Sequence, residues 1–549
     1  MRERTRARRA ISGTTVGVLA AAGLGLAAPL AGAATVVDKV RASDIVAWDV
    51  TSNEPAPTGW FAQDDDQIGA GSYELVEGSD GSDGDGTLRL VAPTGADKAT
   101  VKKATAAGTK LADVTAGGYR VRTTTGAAPS YQLVIDCNGG TLADGGFATL
   151  NHIPTQVPAD GWKTWDTVDG GQATYWATRY ILSDGTTSNT VPAPGGPTVV
   201  INRWESKPLA DFQAACATGL ALTYGVSVGR DEAHDAEVDH VVLNDSETNF
   251  QRVMIDRFAG ADRVATAVEA SQGLWADQAA SSAAIATAAT FADGLAGGPL
   301  AVAAGGPLLL NNASFLDGRV SDELERVLAP GSRVYVLGGT AALSSDVSSA
   351  ISSLGFTVVR LAGADRYATA VEIADELGTP DAIFLTSGTN FPDALSASPA
   401  AVREVGVLLL TRDTSMTSAT AAYLADHPTA TRYAIGGPAA TAAGPLVLPA
   451  NRLVGINRFD TAVRTAQRFF DGNDVVTFAS GRAFPDALGG GAFAGTVDAP
   501  MLLVDTTAVP GVLATYLEDQ RLAIEVGALF GGPVAVSADV ADALTGILN

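Results

Sequence analysis

The stretch Arg257-Phe-Ala-Gly-Ala-Asp-Arg-Val-Ala-Thr-Ala-Val-Glu269 decides how the chain is organised, because it comes back twice. It returns as Arg360-Leu-Ala-Gly-Ala-Asp-Arg-Tyr-Ala-Thr-Ala-Val-Glu372 and as Arg452-Leu-Val-Gly-Ile-Asn-Arg-Phe-Asp-Thr-Ala-Val-Arg464, at intervals of 103 and 92 residues. Three more blocks follow in the same order. They are Phe291-Ala-Asp-Gly-Leu295, Phe391-Pro-Asp-Ala-Leu395 and Phe484-Pro-Asp-Ala-Leu488; the aliphatic runs Leu308–Leu310, Leu408–Leu410 and Met501–Val504; and the glycine pairs Gly338-Gly339, Gly436-Gly437 and Gly531-Gly532. Four ordered matches in three copies define an internal repeat, and the repeat fixes the architecture before any element is assigned.

Within a copy, strand and helix signals alternate. Thr357-Val-Val-Arg-Leu361 reads as a strand, and Asp365 opens a helix with Tyr367, Ala370, Val371 and Ala374 on one face. Ile383-Phe-Leu-Thr386 is strand-like, Pro392 opens a second helix, and Val407–Leu410 is again a strand. The strand runs are wholly apolar, as expected when helices cover both faces of a parallel sheet. Each copy therefore reads as a small doubly wound α/β unit.

Composition shifts near residue 250. Six of the seven tryptophans and every lysine lie before it; from Arg257 onward there are 16 Arg, no Lys and 29 acidic residues. The earlier part reads as β. Thr87–Val91, Tyr119–Arg122 and Tyr131–Ile135 alternate between Gly, Asp and Pro clusters, which suggests an antiparallel sandwich. Tyr224–Gly229 and Ala236–Leu243 resemble the last two strands of jelly-roll carbohydrate-binding modules. Cys137 and Cys216 form either one disulfide, as suits an exported domain, or two buried thiols.

The first 33 residues carry five arginines, then an apolar Ala/Gly/Leu run, then Ala31-Gly32-Ala33, the pattern of an export signal. Arg8-Arg9 leaves both the general and the twin-arginine route open. Without that segment the chain has 31 basic and 59 acidic residues, a net charge of −28. Repulsion then opposes nucleic acid and acidic membrane surfaces as partners. No later segment is apolar for long enough to span a bilayer, so attachment is expected to come from another source. The expected domains are a leader at 1–33, a β-sandwich at 34–250, and repeats at 251–355, 356–449 and 450–549.

The Gly-Ala-Asp-Arg-Tyr-Ala-Thr-Ala-Val block at 363–371, the Phe-Pro-Asp-Ala-Leu block at 391–395, the aliphatic run and the glycine pair resemble the type 2 cell wall binding repeat of Gram-positive surface proteins. The likeness covers about residues 255–549. It implies three tandem copies packed as a pseudo-threefold platform, binding to anionic secondary wall polymer, and a variable domain (here the sandwich) for adhesion or glycan binding.

Asp262, Asp365 and Asn457 precede the first helix of each copy, and both residue types are good N-caps. Arg263, Arg366 and Arg458 follow them, in a first turn where the helix dipole disfavours a cation. Arg offers planar, bidentate donors for phosphate or carboxylate. Asp293, Asp393 and Asp486 come 30, 27 and 28 residues later, each expected in the first turn of the next helix. These six residues either border a polymer groove at the carboxyl ends of the strands or pair to tie units or repeats together. The first copy lacks the N1 proline and the third has Gly-Ile-Asn, so three equivalent sites are not expected. An acidic protein binding an anionic polymer must localise its arginines or use bridging divalent cations. Asp80, Asp83 and Asp85, in an Asp/Gly run, are either a solvated turn or a calcium loop, although not one with EF-hand spacing.

His152, His234, His240 and His427 show no zinc-enzyme spacing, and no Gly-x-Ser-x-Gly elbow or phosphate loop occurs. A non-catalytic protein without cofactor is expected. The alternative is a wall hydrolase, an amidase or glycosidase, targeted by the same repeats.

Overall fold

The computed structural model describes residues 36–48, 57–63, 67–76, 86–139, 145–154, 162–166, 173–229, 231–250 and 252–549. The expected leader at 1–33 and the residues Asp80, Asp83 and Asp85 lie outside the described residues. The described chain forms two compact units that divide between Arg252 and Val253.

Among the described residues the N-terminal unit has two large sheets, mostly antiparallel, that share one core, besides a small sheet of Thr187–Ser188, Tyr180–Leu182 and Val199–Ile201. The larger runs, in spatial order, Lys207–Pro208, Thr174–Ala177, Phe147–His152, Ser130–Asp136, Leu220–Gly229, Lys98–Ala104, Trp60–Gln63 and Val46–Trp48. In the other, His234–Leu243 pairs with Ser246–Phe250, Thr87–Ala92 and Gly117–Thr125. Alternation along each strand sends one set inward: Leu88, Leu90, Tyr119 and Val121 from one sheet meet Tyr131, Leu133, Leu150 and Val226 from the other. Trp60 is part of this core, with its Nε1 donating to the Thr248 hydroxyl at 3.1 Å. Cys137 and Cys216 are joined as a disulfide across 79 residues, which by loop-closure entropy contributes about 4.5 kcal/mol.

The C-terminal unit contains three four-stranded parallel sheets. The second copy shows the plan: Gly406–Thr411, Ala382–Ser387, Thr431–Ile435 and Arg452–Leu453 lie side by side. Numbered along the chain this order is 2-1-3-4, the doubly wound arrangement. The fourth strand, however, belongs by sequence to the next copy. Thr357–Leu361 likewise completes the first copy's sheet, beside Leu328–Leu337. The third copy has no successor; its fourth strand is Met254–Phe258, from the start of the unit, paired with Val526–Phe530. The sheets are thus offset by one strand from the sequence repeats, and the first strand closes the cycle.

The helices repeat this cyclic exchange. The second helices, Gly297–Ala303, Pro392–Arg403 and Pro485–Thr496, pack on one another. Each also packs on the first helix of the following copy: Arg366–Leu377, Arg458–Phe469 and, from the third copy, Arg263–Leu274. Helices buried on several sides need small residues. Gly495 sits against Val402 and Val302, so all three copies meet there, and a Cβ on Gly298 would collide with the Ser398 hydroxyl. The proline difference has a visible consequence. Pro392 and Pro485 open helices of 12 residues, whereas Phe291–Ala296 is irregular and the first copy's helix has only 7. Asp293 therefore lies in a turn ahead of its helix, not within the expected first helical turn. On the first helix of the second copy, Thr369 and Ile373 are buried with Tyr367, Ala370 and Ala374, while Val371 is only half-buried.

Candidate functional site

The three N-cap residues do what their chemistry suggested. Asp262 accepts from the amides of Val264 and Ala265, Asp365 from Tyr367 and Ala368, and Asn457 from Phe459 and Asp460, all at 3.0–3.1 Å. Capping needs an acceptor rather than a charge, so Asn serves as well as Asp.

The cap aims the next residue across the end of the strand that follows its helix, Ala280–Thr287, Ala382–Ser387 or Val475–Ser480. Arg263 Nη1 donates to the Ala288 carbonyl at 2.6 Å, Arg366 Nη1 to Gly388 at 2.8 Å, and Arg458 Nη1 to Gly481 at 2.5 Å. Each guanidinium also lies over a phenylalanine of the preceding copy. Arg366 is 5.5 Å from the Phe291 ring, Arg458 5.9 Å from Phe391, and Arg263 5.5 Å from Phe484. Those three rings form a triangle with centroid separations of 5.8, 5.5 and 5.9 Å.

The three aspartates feel the same guanidiniums, again across copies. Asp293 feels Arg366 and accepts from Thr369; Asp486 feels Arg263 and accepts from Thr266; Asp393 feels Arg458. This charge attraction runs between repeats and not within one. Burial outweighs the guanidinium charge at all three, so each carboxyl is pushed above its usual range, Asp393 to about 6. At Asp293 and Asp486 the threonine hydroxyl opposes that rise. The first glycine of each pair explains itself here. Gly338, Gly436 and Gly531 have φ of +96°, +89° and +110°, and a Cβ on any of them would run into the adjacent aspartate.

Two further arginine sets escaped the sequence reading. Arg257, Arg360 and Arg452 begin the repeated block, which was their signal, and each clamps the preceding copy. Arg257 Nη1 donates to the carbonyls of Gly531 and Val536, Arg360 Nη1 to that of Gly338, and Arg452 Nη2 to those of Gly444 and Val447. Arg319, Arg412 and Arg482 hold no common position in the repeat and could not have been found that way. They are well exposed and face acids: Arg319 binds Asp262 at 2.9 Å, Arg412 lies 3.5 Å from Asp365, and Arg482 binds Asp505 at 2.6 Å. Arg412 and Arg482, like Arg263, Arg366 and Arg458, sit where strands end at their carboxyl side, and Arg319 reaches the same edge through Asp262.

A separate groove of about 330 Å³ lies between helices Arg458–Phe469 and Gly511–Gln520, lined by Asp460, Arg464 and Asp519, and does not include these arginines. Among the described residues no helix is long and apolar enough to cross a membrane. Nor does any group of three or more His, Cys, Asp or Glu there have the placement to hold a metal ion.

Three doubly wound units that exchange strands in a cycle define a tandem-repeat α/β platform. Residues 257–348, 360–444 and 452–541 each match the family described as cell wall binding domain 2, and the C-terminal unit belongs to that family in three copies. The N-acetylmuramoyl-L-alanine amidase LytC of Bacillus subtilis (strain 168) is 29% identical over 254 residues, 46% of this chain and 50% of that protein. The amidase enhancer of the same organism is 25% identical over 313 residues, 54% of this chain and 42% of that protein. The chain spans about half the length of these curated relatives. Cwp6 from Clostridium difficile shares the fold, with a TM-score of 0.51 at 18% identity over 88% of this chain and 68% of that one. The expectation of a protein unconnected with catalysis is corrected here: the relatives bear the names of a wall amidase and an amidase enhancer.

Proposed function

We propose that the protein is exported and held outside the cell by its C-terminal unit, which packs its repeats about a pseudo-threefold axis and binds an anionic wall polymer without a covalent bond. The observation that carries this reading is the cyclic set of contacts, in which each copy offers the same Arg, Phe and Asp to its neighbour. Arg263, Arg366 and Arg458 use one nitrogen on a carbonyl; their remaining donors suit phosphate or carboxylate. Each of Asp293, Asp393 and Asp486 attracts the arginine of the copy that follows it in the cycle. Arg319, Arg412 and Arg482 add exposed guanidiniums along the same edge, each held beside an aspartate. The N-terminal unit, a jelly-roll-like sandwich within residues 34–250, is displayed by this platform as an adhesion or glycan-binding module. Repeats at 251–355, 356–449 and 450–549 make up the platform itself.

Sedimentation with purified walls tests attachment. Full-length protein should pellet with intact walls and stay soluble with walls stripped of phosphodiester-linked polymer. Arg366→Ala should lower retention while the unit still melts cooperatively. Equal binding to stripped walls would refute the reading.

The two curated relatives favour a second role, in wall hydrolysis, with the same platform bringing the protein to its site of action. Release of free amino groups from purified wall by the full-length protein, alone or added to an N-acetylmuramoyl-L-alanine amidase, tests that role.

A further inference from the structure

The larger sheet of the N-terminal unit carries a row of side chains for which wall attachment has no use. Trp176 stands opposite Asn151, Asn151 opposite Gln132, Gln132 opposite Gly225, and Gly225 opposite Lys102. All four pairings are antiparallel, and directly opposed residues of such a pair share a face. Four strand spacings make the row about 19 Å long. The alternate residues of the same strands, such as Tyr175 and Leu133, fill the shared core, so the row occupies the sheet's other face.

One end of the row is aromatic and open. Trp204 is 54% exposed, its ring centroid lies 4.8 Å from that of Trp176 at 52°, and the Arg203 guanidinium lies 4.6 Å from its centroid. Its φ of +66° is in the left-handed region that a bulky residue rarely adopts. A large apolar ring is thus held out in water at a backbone cost, which folding alone does not call for. The middle of the row is polar and buried: Asn151 is 2% exposed and Gln132 7%. Gln132 Nε2 donates to Asn151 Oδ1 at 2.9 Å, and the Gln132 Oε1 has no hydrogen-bond partner among the described residues. A buried acceptor in that state needs a donor that the described residues do not supply, from water or from a ligand hydroxyl.

We propose that this row binds a neutral glycan of β-linked pyranose rings. Trp204 and Trp176 stack on ring faces, and the Asn151–Gln132 amide pair exchanges hydrogen bonds with hydroxyls. Equatorial substituents leave flat C–H faces that suit an indole, and amides supply donors and acceptors without charge. The row contains no carboxylate, its one charged residue, Lys102, is buried at the end far from Trp204, and beside Trp204 the Glu205 and Lys207 charges neutralise each other at 3.0 Å. This inference rests on the reading of the N-terminal unit as a glycan-binding module and adds the place and the ligand chemistry.

Titration calorimetry of full-length protein with β-1,4-linked hexasaccharides of glucose and of N-acetylglucosamine tests it. The wild type should bind at least one of them. Trp204→Ala should weaken that binding about tenfold or more, and Trp204→Phe should recover part of it, since it keeps a smaller stacking face. If the wild type binds neither probe, the site and the glycan-binding reading fall together. If it binds and both Trp204→Ala and Trp176→Ala bind equally well, the site alone falls.

Discussion

Replacing Arg257 by alanine should open the seam where the first strand of the C-terminal unit joins the last sheet. Its Nη1 donates to Gly531 at 2.7 Å and to Val536 at 2.9 Å, and its Nη2 to Ser537 at 3.3 Å. A hydrogen bond from a charged donor contributes ~1.5–3 kcal/mol. Burial works against this, holding the guanidinium below its ordinary pKa. Counting the two short bonds at the low end gives a loss of about 3 kcal/mol. In a unit of this size that corresponds to roughly 6 °C in Tm. The assay is a thermal melt combined with amide hydrogen exchange. Exchange should speed up across Met254–Phe258 and Val526–Phe530, while the central strand Val475–Ser480 keeps its protection. Arg452→Ala, at an interior seam, should destabilise comparably, because Arg452 donates to carbonyls of the second copy in the same way. A wild-type melt together with unchanged exchange at Val526–Phe530 would refute the reasoning, since the strand ladder alone would then hold the cycle closed.

Asp393 gives the platform a pH dependence of definite sign. Burial raises its folded pKa to about 6, above the unfolded value, so its contribution is complete below the unfolded pKa and is lost as pH rises through about 6. The ionised form costs about 3 kcal/mol. Tm should therefore rise as pH falls from about 7 to 5, and Asp393→Asn should flatten that slope; an identical slope in the variant would contradict the assignment. Asp262, Asp317 and Asp505 are held below the usual carboxylate range by Arg319, Arg319 and Arg482, so they stay ionised over that window, whereas Asp293 and Asp486, also raised by burial, act in the same direction and leave a residual slope in the variant. Reducing the Cys137–Cys216 disulfide, or introducing Cys216→Ser, should destabilise the N-terminal unit by up to about 4.5 kcal/mol and leave the C-terminal melt in place. A shift of both transitions would show that the two units do not unfold separately.

The sequence by itself determined whatever is local or repeated. Periodic blocks, apolar runs and N-cap residues are written into neighbouring positions, so three α/β units, their helix starts and an alternating β region could be read without coordinates. The missing proline at residue 292 accounts for the irregular helix start in the first copy. Tertiary structure alone decided the pairings. Nothing in Arg360-Leu361 says which sheet it completes, because a strand's partner is fixed by closure in space, and here closure runs into the preceding copy. The same holds for the aspartates. Spacing placed them one helix after their arginines, but the cyclic packing set each against a different copy's guanidinium, and burial moved their pKa upward. Trp60 and Trp204 are the same residue type in the same β region, yet one fills the core and the other stands in solvent, since burial depends on what the rest of the chain brings up against each ring.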